Sequence, residues 1–357
     1  METMDIIPIR SKLYDYAVEF VPDVRPLIEA AGAETAFVID KNVLALYADK
    51  FAGIDPARIF AVEAAEHKKN MDTVMDIIRA WKALGVRKNW RVFCFGGGIT
   101  QDVTTIASDL YLRNIDWYFF PTTLLAMCDS CIGGKSGINL GQYKNQIGVF
   151  YPPKKIYIDV HFIDTLTHQD YLNGWGELLK FSLTGDAAFY ADLKAVQQYF
   201  PCDDIAAFIH RGLSVKKAII EEDEFESDLR RLLNYGHTFG HALEAYTENA
   251  IPHGEGVIWG IDVVNYIAWQ EGLISEAYYL DIKALIRRAF LPEEIVIGDP
   301  DAMFNMILTD KKLRGNTLSF AMPNGSGSLT IHPMEVDGKL KQYFLDYLAS
   351  THAFYGA

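Results

Sequence analysis

The stretch Trp90-Arg91-Val92-Phe93-Cys94-Phe95-Gly96-Gly97-Gly98-Ile99-Thr100-Gln101-Asp102 decides the fold. Its first six residues are mostly aromatic or β-branched, as in a strand buried on both faces. Three glycines end the run, and residues 103–112 then space their apolar side chains as a helix does. A strand that passes through a glycine turn into a helix is one half of a parallel α/β unit. Bare backbone amides can approach a pyrophosphate closely, and the helix adds its N-terminal N–H groups. The same glycines would also suit a tight turn with no ligand, and they lack the G-x-G-x-x-G spacing of the common dinucleotide motif.

Working outward, Ala36-Phe37-Val38-Ile39 ends in Asp40 and Asn42, and the burst at 58–62 leads to Glu66-His67-Lys68-Lys69. Residues 71–84 have helical spacing, residues 117–121 form a strand ending in Thr122 and Thr123, and residues 155–159 read as a last strand. Alternating strands and helices predict a parallel sheet with ligands at the strands' carboxyl ends. Asp129 to Asn139, followed by Lys144-Asn145, reads as a glycine-rich polar loop whose lysines are either solvated or meet an anion. Tyr151-Pro152-Pro153 breaks the pattern, giving an α/β nucleotide-binding domain over 1–160 and a mainly helical domain over 161–357. Helical stretches in the second domain cover 174–183, 187–199, 203–222, 228–246, 256–271 and 276–289, followed by a strand-like Leu318-Ser319-Phe320-Ala321-Met322.

The second domain carries Asn234-Tyr235-Gly236-His237-Thr238-Phe239-Gly240-His241-Ala242-Leu243-Glu244 and, after Ile251-Pro252, His253-Gly254-Glu255-Gly256. Histidines at i and i+4 share a helix face, and a third arrives after a proline turn, a pattern suited to a divalent metal. Glu177 and Lys180 are spaced as a helical pair, and Trp175 with Leu178-Leu179 predicts that their helix is buried. Residues 223–231, rich in both signs, read as a solvated turn.

The net charge of −14 over 357 residues, with no Lys/Arg run, argues against nucleic acid and anionic membrane partners. No stretch approaches the roughly 20 apolar residues of a membrane span, and Met1–Ser11 is not a signal sequence, so a cytoplasmic protein is expected. Cys94, Cys128, Cys131 and Cys202 are expected to be reduced and structural.

Together, GGG-x-x-x-D, PTTLLA, DSCIGGKSGIN, KNQIG, Glu-x-x-Lys after Gly176, LRRLLNYGHTFGHALEA and HGEG resemble the 3-dehydroquinate synthase family of sugar-phosphate cyclases, from about Asp40 to Gly327. The resemblance implies an α/β NAD domain, an all-α metal-binding domain and a homodimer. It implies zinc, or cobalt, on Glu177, His237 and His253, which makes His241 a substrate-side residue. NAD contacts fall on Asp40, Asn42, Glu66, Lys69, Gly97, Gly98, Asp102, Thr122 and Thr123. The catalytic residues fall on Asp129, Lys135, Asn145, Lys180, Lys216, Arg230, Asn234 and His241. Further substrate contacts fall on Lys144, on one of Lys311 or Lys312, and on Arg113, which in the family reaches across the dimer.

The implied substrate is a phosphorylated keto-sugar acid, 3-deoxy-D-arabino-heptulosonate 7-phosphate. It would be converted to 3-dehydroquinate by transient oxidation at C5, phosphate elimination, re-reduction and intramolecular aldol closure. Several Lys and Arg in an acidic protein suit a substrate with a carboxylate and a phosphate. The sequence departs from the family at Gln101, Thr104-Thr105, Asn114 and residues 139–143, which leaves a cyclase acting on sedoheptulose 7-phosphate as the alternative. A metal-dependent NAD polyol dehydrogenase, with the same architecture, fits the loop motif and Arg230 less well.

Overall fold

The computed structural model describes residues 6–350 except 142, 186, 249, 290–295, 310–312 and 326–327, and also residues 353–354. By internal packing the chain divides into two units, Met1–Thr167 and His168–Ala357. The helical turn Val160–Thr165 goes with the first because the Phe162 ring packs on Tyr47 and Phe95.

In the first unit, β1 (Ile6–Ile9), β2 (Tyr16–Phe20), α1 (Arg25–Glu29), β3 (Thr35–Asp40), α2 (Lys41–Leu46), α3 (Ala48–Phe51), β4 (Ile59–Val62) and α4 (Met71–Leu84) are followed by β5 (Arg91–Gly96), α5 (Gly98–Leu110) and β6 (Asp116–Pro121). Next come β7 (Lys135–Leu140), β8 (Tyr143–Phe150) and β9 (Lys155–Ile158). Seven strands form one sheet in the order β1-β2-β9-β6-β5-β3-β4, parallel except for the β1–β2 pair. All six residues of β3 and five of the six in β5 are buried, which is why these runs are almost wholly apolar. The strand order reverses between β3 and β5, since β4 lies outside β3 and β6 outside β5. That reversal is the crevice where open α/β sheets bind ligands, and it brings the carboxyl end Asp40 beside Gly96.

Two readings change here. The N-terminal residues, unassigned from sequence, add an antiparallel hairpin to the sheet through β2 and β9. The segment read as a polar loop is a second antiparallel hairpin, β7 with β8, after a π-helical turn Ala126–Ser130.

The second unit contains α6 (His168–Gly185), α7 (Ala187–Ala195), α8 (Ile205–Glu222), α9 (His237–Tyr246), α10 (His253–Gln270), α11 (Glu276–Ala289), α12 (Pro300–Met306), the antiparallel hairpin β10 (Thr317–Asn324) with β11 (Ser328–Glu335), and α13 (Gly338–Ala349). It is helical as expected, apart from that hairpin. The predicted helix over 228–246 is interrupted: a 3-10 turn spans Leu229–Asn234, Gly236 takes φ +76°, and α9 begins at His237.

The break lets α9 and α10 cross at glycine. A Cβ on Gly240 would lie 2.7 Å from the Gly256 carbonyl oxygen, and one on Gly260 would overlap the Gly236 carbonyl oxygen. Gly236-x3-Gly240 thus meets Gly256-x3-Gly260 with backbones in contact. Since backbone cannot swing aside, Gly260→Ala is expected to cost about 3 kcal/mol, the upper range for overpacking. The check is the denaturation midpoint of the purified protein; an unchanged midpoint would mean that the helices part freely.

Candidate active site

In the first unit, the residues expected to hold NAD collect at the β3/β5 crevice. The Asp40 carboxylate caps α2, accepting from the Asn42 amide at 2.8 Å, and burial pushes its pKa up against that bond. Gly97 precedes α5 with no side-chain cap, so the first-turn amides of a 13-residue helix are open to an anion. A Cβ on Gly97 would lie 3.0 Å from Thr123 Cγ2, so the turn is narrow. The hydroxyls of Thr100 and Thr122, on either side, are buried with no hydrogen-bond partner. Open amides beside orphaned hydroxyls fit a polar ligand such as a dinucleotide.

A polar network ties this edge to the β7–β8 hairpin. Lys69 Nζ lies 2.6 Å from Asp102 Oδ2 and donates to Asn145 Oδ1 at 2.8 Å. Asp102 also accepts from the Gly137 amide at 3.1 Å; burial raises its pKa although Lys69 opposes this. Two residues given no site role from sequence belong here. Asn139 donates to Glu66 Oε1 at 2.8 Å and accepts from the Asn145 amide at 3.0 Å, linking predicted cofactor and substrate residues. Gln101, one of the departures, is buried and exchanges hydrogen bonds with Ser130 at 2.8 and 2.6 Å, fixing the turn that carries Asp129. A glutamine at a buried helix position is the signal that could have found it.

Lys135 and Lys144 sit exposed on the hairpin. Arg113 is not brought to this edge. It follows the far end of α5, about 20 Å along the helix from Gly98 at 1.5 Å per residue. Leu112, Arg113 and Asn114 all have positive φ (50°, 56° and 71°), and the Lys88 ammonium donates to the carbonyls of Arg113 and Asn114. Lys311 and Lys312 lie outside the described residues.

In the second unit, α6, α9 and α10 bring Glu177, His237 and His253 together. Glu177 Oε1 lies 3.5 Å from His237 Nε2 and 3.3 Å from His253 Nε2, and Lys180 pairs with the other carboxylate oxygen. The Nδ1 atoms are committed elsewhere: that of His237 faces the Tyr235 carbonyl at 3.0 Å, and that of His253 faces Glu244 Oε1 at 2.8 Å. Both acceptors require an Nδ1–H, so the lone pair of each neutral ring is on Nε2, directed at a carboxylate. Lone pairs converge on one point only around a cation, and one carboxylate with two imidazoles is a catalytic zinc-type donor set. Without an ion, a proton takes that place. Burial works against an imidazolium, but Glu177 and Glu244 push the His253 pKa up to about 10. Burial likewise raises the pKa of Glu177, yet Lys180 foremost brings it down to about 2.

His237, His241 and His253 also form a cluster whose ligand atoms all lie within 4.8 Å of one another. A three-histidine site is therefore the rival geometry. We favour Glu177 because His241 is exposed whereas Glu177 is fully buried, where a carboxylate needs compensating charge.

Lys180 and Lys216 are buried on α6 and α8. The charged segment 223–231 is not a solvated turn. Asp223 and Glu224 are buried, and Asp223 accepts from the Ser227, Asp228 and Arg230 amides at 2.8, 2.7 and 3.0 Å. These bonds outweigh burial and hold its carboxyl well below the usual range. The Arg230 guanidinium donates to the Glu224 carbonyl, and Asn234 donates to Glu226 at 2.8 Å. Glu244 too escapes sequence reasoning, although it stands two turns after His237 on the same face.

Known proteins resemble this chain over most of its length. Family models described as 3-dehydroquinate synthase N-terminal and C-terminal match residues 59–173 and 174–313. A 3-dehydroquinate synthase of Alkaliphilus metalliredigens is 34% identical over 311 residues, covering 84% of this chain and 86% of its own. The solved 2-epi-5-epi-valiolone synthase ValA of Streptomyces hygroscopicus, with NAD+ and Zn2+ bound, superposes with a TM-score of 0.83 at 27% identity, covering 94% of this chain and 97% of its own. A 2-deoxy-scyllo-inosose synthase shares the fold, with a TM-score of 0.82 at 24% identity over 95% of this chain and 99% of its own. No described helix is long and apolar enough to cross a membrane.

Proposed function

Because this chain belongs to the 3-dehydroquinate synthase family, we propose that it converts 3-deoxy-D-arabino-heptulosonate 7-phosphate to 3-dehydroquinate and phosphate, as an NAD- and metal-dependent carbon–oxygen lyase. The observation that carries this reading is the convergence of Glu177, His237 and His253 Nε2 within the matched region. Asp40, Asn42, Glu66, Lys69, Gly97, Gly98, Asp102, Thr122 and Thr123 would hold NAD. Glu177, His237 and His253 would hold zinc or cobalt and leave positions open for substrate oxygens. Once bound, NAD supplies hydride acceptance and return at one carbon, and the ion supplies Lewis acidity at the hydroxyl being oxidised.

The remaining work belongs to side chains of this protein. Lys135, Lys144, Lys180, Lys216 and Arg230 would bind the substrate's carboxylate and phosphate. Arg230 suits the planar carboxylate because its fork is pre-organised, and here the backbone that carries it is fixed by Asp223. Asp129, Asn145, Asn234 and His241 would orient hydroxyls and move protons. Arg113, far from the cofactor edge of its own chain, would serve a second copy in a homodimer. We place the enzyme in the cytoplasm, where four buried thiols stay reduced.

The test is phosphate release by zinc-loaded protein with NAD, offered 3-deoxy-D-arabino-heptulosonate 7-phosphate and sedoheptulose 7-phosphate in parallel, with products identified by mass. Turnover of the first is expected. Turnover of the second alone would replace this reading with the valiolone-type one that the likeness to ValA raises. Arg230→Ala is expected to weaken binding of the carboxylate substrate by about 2–4 kcal/mol, the scale of an unpaired buried charge. An unchanged KM would mean that Arg230 meets no carboxylate.

A further inference from the structure

We propose that Glu244 is a positioning residue for the metal centre, acting through His253; the inference rests on the metal reading above. Glu244 is on α9 and His253 opens α10, so their contact spans the glycine crossing of the two helices. The carboxylate is buried, with Oε1 2.8 Å from His253 Nδ1. Its side chain lies over a bare stretch of α10: a Cβ on Gly256 would come within 3.5 Å of Glu244 Cγ and 3.6 Å of Oε1. The Glu244 side chain therefore packs within ordinary van der Waals range of α10 at Gly256.

Accepting Nδ1–H does three things. It selects the tautomer with the lone pair on Nε2, fixes the ring plane, and makes Nε2 a stronger donor to a divalent ion. At His237 the same nitrogen faces a neutral carbonyl, that of Tyr235. The two imidazoles are therefore held differently, His253 by a charged acceptor and His237 by a neutral one. A carboxylate in this second layer also adds a second buried acid to Glu177, so that net negative charge remains for a cation after the Lys180 ammonium is counted.

The experiment measures the Zn2+ dissociation constant by chelator competition for the wild-type chain, Glu244→Gln, Glu244→Ala and His253→Ala. Glu244→Ala is expected to bind Zn2+ about 10- to 100-fold more weakly, and Glu244→Gln, which keeps an acceptor without the charge, to recover part of that loss. A Glu244→Ala protein that folds and binds Zn2+ within about twofold of wild type would overturn the proposal. If the alanine variant does not fold, histidine 15N spectra of the zinc-loaded wild type decide. Protonated Nδ1 and zinc-bound Nε2 on His253 support the inference, and the reverse assignment overturns it. A wild-type chain with no Zn2+ affinity, or His253→Ala with full affinity, would instead sink the metal reading itself.

Discussion

Glu177→Ala is expected to remove the bound metal and to lower turnover at least about 10³-fold, whereas His241→Ala should keep the metal. The first expectation follows from what Glu177 does for its neighbours. It is fully buried, pairs with Lys180, and stands 3.3–3.5 Å from two Nε2 atoms, so without it a buried ammonium and a divalent ion would share a pocket with no first-layer anion. Lewis-acid polarisation is worth several kcal/mol, and each 1.36 kcal/mol is tenfold in rate, so losing the ion alone gives about 10³. Glu177→Gln separates charge from shape, because the amide fits the same space and offers no negative charge to the ion. His241 lies within 4.8 Å of the other two imidazoles, close enough to test as a rival ligand. Metal content by elemental analysis, read beside steady-state rates, settles the assignment. Full occupancy in Glu177→Gln with none in His241→Ala would make the site a three-histidine one.

The parts of this site that sequence reveals are those written in local pattern. β3, β5 and β6 are continuous apolar runs because the sheet buries both of their faces, and the glycines after β5 mark the turn directly. Histidines spaced by helical period, or set just past a proline, are equally local. What sequence hides is set by partners distant in the chain. β8 has no buried residue among its eight, so no alternation betrays a strand, and β1 contains a proline that a strand tolerates only at an edge. The acidic segment after α8 looks solvated, yet Asp223 spends its carboxylate on three nearby backbone amides, which composition cannot report. The glycines of α9 and α10 matter through the backbone that each one admits, which lies far off in the chain. Arg113 occupies one of three consecutive left-handed residues, of which Asn114 alone is of a type that favours that conformation.

Lys283→Ala is expected to destabilise the second unit by about 3–5 kcal/mol while leaving metal stoichiometry intact, and the reason lies in the middle of α10. Asp262 and Lys283 are both buried and paired; Tyr347 donates to the same Asp262 oxygen at 2.7 Å, joining α10, α11 and α13. The ammonium also stands over the rings of Tyr279, Tyr347 and Phe354 at 5.4, 5.8 and 4.1 Å. Burial lowers the Lys283 pKa and raises that of Asp262, each pulled back by its partner, so neither charge is comfortable alone. Asp262 Oδ1 already lacks a hydrogen bond, and truncating the lysine would remove the cation paired with this buried carboxylate. Breaking a buried pair in this way costs about 3–5 kcal/mol, whereas replacing both members with apolar residues of matched volume is often neutral. Lys283→Met with Asp262→Leu should therefore recover most of the loss, a non-additivity readable in thermal midpoints. Zinc binding is expected to survive in both variants, because Asp262 follows His253 by two and a half turns, about 13 Å along the helix, and touches neither imidazole. Metal lost in step with stability would mean instead that the position of α10, and with it His253, depends on this pair.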